Sequence, residues 1–201
     1  MKKSIILVLM ISMVMGTLTG CNGNNGRSSD EVMTEQNLEG MVHLESADDV
    51  SAFFKEVYAA VPQDMLPGNI ETTELDLNDA ELINYNTGFD NFGNGDTLSS
   101  QIEGIYLSES MIGSVAYSAI YIRTKDGADA NMIQNTLMES VNPSKWICVT
   151  AQKEISSVFG NDIFFVMAAQ DTADVVYAEA KKAAENRGMS VSAAVEKINP
   201  I

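Results

Sequence analysis

The chain has 201 residues and a formal net charge of −16, with 12 basic residues against 28 acidic ones, one histidine and two cysteines. Such an excess of acid argues against nucleic acid as a partner, because binding a phosphate backbone requires basic surface. It also leaves no basic patch to hold a domain on anionic lipid, and the histidine and cysteines are too few for a structural zinc site.

The first 21 residues carry an address. Lys2 and Lys3 precede an apolar run from Ile5 to Met15, interrupted only by Ser12, and the small residues Gly16, Thr17, Thr19 and Gly20 follow. This is the order of a secretory signal peptide. The run is well short of the roughly 20 apolar residues that span a bilayer. Leu18-Thr19-Gly20-Cys21 resembles the lipobox of bacterial lipoproteins. The resemblance implies cleavage between Gly20 and Cys21, a diacylglyceryl group on the Cys21 sulfur and a lipid anchor on the extracytoplasmic face of the cell membrane. Two acyl chains anchor stably where one binds only marginally. The competing reading is an ordinary secreted protein in which Cys21 is incidental.

Residues 21–45 begin polar and glycine-rich and sustain no apolar period, so they read as a flexible tether that also contains the only histidine, His43. A single α+β domain is expected over residues 46–201. With Cys21 lipidated, Cys148 has no partner. Its place in Trp146-Ile147-Cys148-Val149 suggests a small buried hydrophobe rather than a reactive thiol.

The first helix is expected from the spacing of Val50, Phe53, Phe54, Val57, Tyr58 and Val61, with Ser46 and Asp49 at its start and Pro62 as its stop. Residues 62–74 read as loop. Asn78 or Asp79 is expected to cap a short helix ending at Thr87-Gly88. The stretch Asp90 to Asp96 invites a calcium reading, with Asp90, Asn94 and Gly95 matching loop positions. Phe92 and Gln101 fail the positions where ligands belong, so an exposed loop is preferred. Strands are expected over residues 105–108 and 115–124, a helix over 128–141 and a strand over 146–149. A hairpin follows, with strands at 154–158 and 163–169 turning at Gly160-Asn161. Asp171 is expected to cap a long helix stopped by Gly188, with a further short helix around 191–198. Hairpins with interspersed helices predict an α+β fold, an antiparallel sheet with helices packed on one face.

Several stretches together resemble a family of uncharacterised lipoproteins from Gram-positive bacteria, in which a lipobox and tether precede a small α+β domain of unknown function. They are the acidic segment Glu74 to Leu82, the strand from Tyr117 to Arg123, the helix ADANMIQNTLMESV and the hairpin ISSVFGNDIFFVMA, spread over about residues 50 to 180. The chain departs from that pattern in residues 86–100 and beyond Gly188. The family has no established catalytic residues, so none is carried over.

No nucleophile elbow, phosphate loop, zinc-protease or redox motif occurs. No cofactor or metal ligand is assigned. The remaining feature is charge. Residues 46–122 hold thirteen acidic residues and one basic residue, whereas residues 123–201 hold ten and eight. Solubility is the ordinary reading of such acidity. The sharper one is a contact region at Glu71, Glu74, Asp76, Asp79 and Glu81 for a basic envelope protein or a weakly held cation. The expected function is therefore a membrane-anchored, non-catalytic binding or assembly module. The alternative is a small cell-envelope hydrolase working through two carboxylates.

Overall fold

The computed structural model describes residues 43–200. Gly20 and Cys21, the signal peptide and nearly all of the expected tether lie outside the described residues. The elements run α1 (Ala47–Ala60), β1 (Ile70–Glu74), α2 (Ala80–Thr87), α3 (Thr97–Gln101), β2 (Ile102–Ser110), β3 (Ser118–Thr124), α4 (Ala130–Ser140), β4 (Lys153–Phe159), β5 (Asp162–Ala168), α5 (Gln170–Asn186) and β6 (Val195–Ile198). The strands form one sheet in the order β1-β2-β3-β5-β4-β6, antiparallel throughout.

The fold is α+β on an antiparallel sheet. The helices, however, cover both faces rather than one. Every residue of β3 and β5 is buried, which a central strand achieves only when both faces are packed. Ala119, Tyr121, Phe164 and Val166 point to one side, where α1 and α5 bring Phe53, Phe54, Val57, Ala173 and Val176. Ile120, Ile122, Phe165 and Met167 point to the other, where α2 and α4 bring Ile83, Ile133 and Leu137. The one-face expectation failed because near-continuous apolar strands carry no alternation from which to read a solvent side.

Local chemistry sets the helix ends. The Ser46 hydroxyl accepts the Asp49 N–H at 3.2 Å, and Asp79, Asp96 and Asp129 cap α2, α3 and α4 in the same way. Gly88 ends α2 at φ 77°, and a Cβ there would run into the backbone of Ser140 at the end of α4. No side chain caps α5: Ala169 is its N-cap, and Asp171 lies in its first turn instead of the expected capping position.

Four further expectations need correcting. Residues 70–74 form an edge strand, not loop, with Ile70 and Thr72 alternating inward. Residues 146–149 do not pair with the sheet, because Cys148 adopts φ 62° and turns the chain; its thiol is exposed. The tail forms β6 against β4, not a helix. Ion pairs from Lys153 to Glu196 at 2.8 Å and from Lys197 to the buried Glu154 at 3.4 Å hold it there. Finally, packing begins ahead of Ser46, since Leu44 lies in the core.

A chain of hydroxyls positions the β1 edge. Tyr117 donates to Tyr58 at 3.0 Å, Tyr58 donates to Ser108 at 2.7 Å, and Ser108 and Thr72 share a bond of 2.9 Å. Burial pushes the Tyr58 phenol up to about 12, so it remains a neutral donor at any ordinary pH.

Candidate binding surface

The five carboxylates singled out by sequence are all exposed, but they do not converge. They line one margin of the domain along β1 and α2. Glu71 and Glu74 are three positions apart on a strand and so project to opposite faces. Glu74 accepts from the Tyr106 hydroxyl at 3.2 Å. Asp76 closes a turn by accepting the backbone and side-chain N–H groups of Asn78, each at 2.9 Å. These bonds hold its carboxyl below the usual value. Asp79 is spent on capping α2. Only Glu71 and Glu81 have no such structural duty.

Glu71 leads to a more organised place. It sits across from Glu109 in the β1–β2 register, and Glu109 anchors a cluster that sequence reasoning missed. The Lys145 ammonium lies 3.1 Å from the Glu109 carboxylate and donates to Asn86 at 2.9 Å, and its side chain is only 1% exposed. Burial lowers its proton affinity, and Glu109 partly offsets that. The same ammonium lies 5.8 Å from the centre of the Tyr85 ring and 5.4 Å from that of Trp146. The Tyr85 hydroxyl donates to the Lys145 carbonyl at 2.9 Å, and the Trp146 indole N–H donates to Glu109 at 2.8 Å. One buried cation thus fixes two aromatic rings. No signal in the sequence could have joined Tyr85 to Lys145, because they lie 60 positions apart.

Around this cluster the surface turns apolar. Among the described residues eight large hydrophobic side chains are exposed, and six of them belong to the segments that meet at this cluster. They are Leu82 and Tyr85 on α2, Met111, Ile112 and Val115 on the β2–β3 loop, and Ile147 on the α4–β4 loop. The β2–β3 loop belongs to this end because Glu109 and Ser118, which open and close it, both contact Lys145. The other two, Val195 and Ile198, lie on β6 at the opposite edge of the sheet. Beside Tyr85 an open groove of about 650 Å³ is lined by Glu81, Asn84, Asp90, Asn91 and Asn94.

The loop of residues 90–96 folds around apolar packing. Phe92 is buried and stacks on Phe89 at 6.3 Å. Asp90 accepts from Asn84 at 2.6 Å, while Asp96 caps α3 and accepts the Gly93 N–H at 2.9 Å. At the other end of β3, Asp162 accepts from Leu44 N–H at 3.3 Å, Tyr121 at 2.9 Å and Thr124 N–H at 3.0 Å. Arg123 clasps the Leu44 carbonyl at 2.7 Å. The residues leading back towards Cys21 therefore join the domain at the end of β3 away from the apolar cluster. His43 lies there, its Nδ1 enclosed with no hydrogen-bond partner among the described residues.

No protein-family model, no curated protein and no solved structure matches this chain. No helix among the described residues is long and apolar enough to cross a membrane.

Proposed function

We propose that this protein is a lipid-anchored lipoprotein on the extracytoplasmic face of the cell membrane, and that it works as a non-catalytic binding module. The observation that carries the binding reading is six exposed large hydrophobic side chains on α2 and on the two loops that meet it at the Lys145 cluster. Single exposed apolar residues are ordinary, but most of a domain's exposed large apolar side chains falling on segments that meet at one cluster point to an interaction site. The anchor rests on the lipobox resemblance of residues 18–21. Leu44 joins the domain at the Thr124 end of β3, the end opposite the β2–β3 loop that carries Met111, Ile112 and Val115.

Site-specific photo-cross-linking in intact cells tests the reading. A cross-linker at Ile112 or Ile147 should yield one protein adduct of discrete mass, and the same group at Val195 or Ile198 should not. Equal adducts at all four positions, or adducts to lipid at Ile112, would overturn it. For the anchor, a Cys21→Ala chain should lose fatty-acid incorporation. Wild-type labelling in that variant would remove it.

A further inference from the structure

We infer that the occupant of this apolar end is a basic amphipathic segment of a partner protein, one face apolar and the other carrying Lys or Arg. The inference rests on the binding reading above and adds the chemistry of the partner. The first argument is the charge around the patch. Strand β1, helix α2 and the β2–β3 loop contain no Lys or Arg, and the α4–β4 loop contains Lys145 alone. That single cation is enclosed and already matched to Glu109 at 3.1 Å. Every exposed charge contributed by these segments is therefore negative, with Glu71 directly across the strand pair from Glu109 and Glu81 beside Tyr85, and Asp90 of the α2–α3 loop adds another at the same groove.

Apolar side chains within an acidic margin repel an anionic bilayer, whose surface attracts polybasic segments instead. They favour a partner that brings cations around an apolar anchor, through complementary potentials that steer encounter. The second argument is preorganisation. Tyr85 and Trp146 are held by hydrogen bonds and by one ammonium, so docking on them costs little side-chain entropy. Rigid aromatic rings at the centre of a contact are where binding energy concentrates. A partner presenting an apolar stripe with flanking cations fits the amphipathic mode of peptide recognition.

Trp146 is the only tryptophan in the chain, so its fluorescence reports directly from the platform. The full chain in neutral detergent is titrated with three synthetic peptides of equal length. One is a Lys/Leu amphipath, one is its Glu/Leu counterpart and one is a Lys/Ser peptide of the same positive charge. The Lys/Leu peptide should give a saturable Trp146 shift that weakens as salt rises. The other two should bind about tenfold more weakly or worse. A Met111→Ser/Ile112→Ser variant, altered only at exposed positions, should keep its thermal transition and lose about tenfold in Lys/Leu affinity. Glu71→Gln/Glu81→Gln should lose affinity at low salt only.

Equal binding of the Glu/Leu or Lys/Ser peptide would overturn the inference. So would a response to anionic vesicles equal to that for the Lys/Leu peptide, or unchanged affinity in the Met111/Ile112 variant. Failure to bind the Lys/Leu peptide, with position-specific protein cross-links at Ile112 intact, would remove the basic amphipathic partner and leave the docking face standing.

Discussion

The buried carboxylate of Asp162 accepts the backbone N–H of Leu44 at 3.3 Å, joining residues 118 positions apart. A segment expected to be tether is therefore part of the domain, and the carboxylate that holds it also ties down Tyr121 and Thr124. Leu44→Ala should cost about 2 kcal/mol through lost burial. A chain cut to begin at Ser46 should lose at least as much, because Asp162 then loses one of its three donors and Arg123 its backbone acceptor in a closed place, in addition to the burial of Leu44. Urea denaturation with unchanged slope checks both. A chain starting at Ser46 that is as stable as one starting at Asn37 would show that the clasp contributes nothing.

Asp162 also sets a pH dependence of definite sign. Burial raises its pKa from the usual carboxyl value, and the bonds from Thr124, Tyr121 and Leu44 only partly offset this. A carboxyl whose folded value lies above its unfolded one binds its proton more tightly in the folded state. Its contribution to stability is then full below the unfolded value near 3.8 and is lost as pH rises through the folded value. The stability of the wild-type chain relative to Asp162→Asn should therefore fall as pH rises from about 3 through the acid range, then level off. Asp76, whose carboxyl is lowered, should show the opposite trend: its contribution is present above the usual carboxyl value and lost as pH falls. Denaturation curves at several pH values read both. A rising difference for Asp162 would contradict its assignment.

Lys145 supports the aromatic platform from beneath. Lys145→Met should cost about 2 kcal/mol, because Glu109 loses its cation in a mostly closed site and Asn86 loses a donor. Adding Glu109→Gln should recover part of that loss, since the two residues form one coupled unit. The single variant should also shift Trp146 emission, as the indole N–H bonds to Glu109. Additive losses in the pair would contradict the coupling.

Gly88 fixes α2 against α4 and so aims Tyr85. Its φ of 77° disfavours any residue with a Cβ, and the added carbon would meet the Ser140 backbone. Gly88→Ala should cost about 2 kcal/mol or more, whereas Gly127→Ala, with a similar φ of 77° but open space around it, should cost about 1 kcal/mol. Thermal denaturation of the two variants separates backbone strain from collision.

Cys148 should react with a maleimide in the native Cys21→Ala chain without denaturant, since its thiol is exposed. A requirement for unfolding before alkylation would contradict the turn at residues 146–149.

What could be read in the chain followed local physics. The apolar stripe of α1, the Asp79 cap of α2 and the Gly160-Asn161 turn are all short-range patterns, and each appears where it was expected. The misses are long-range. The short β1 shows its strand character only once it pairs with β2, and β6 only against β4. Leu44 looks like tether until a carboxylate far along the chain claims it. The acidic margin was legible as composition. The platform beside it was not, because Tyr85, Glu109, Lys145 and Trp146 come together only through tertiary packing around one buried ammonium.

Hydroxyl-radical footprinting in intact cells, compared with the chain purified in detergent, bears most directly on the proposed docking face. Tyr85, Met111 and Trp146 should be oxidised several-fold less in cells, while Val195 and Ile198, exposed on the other edge, should react equally in both. Equal oxidation of the three platform residues in cells and in detergent would contradict the existence of a partner at this face.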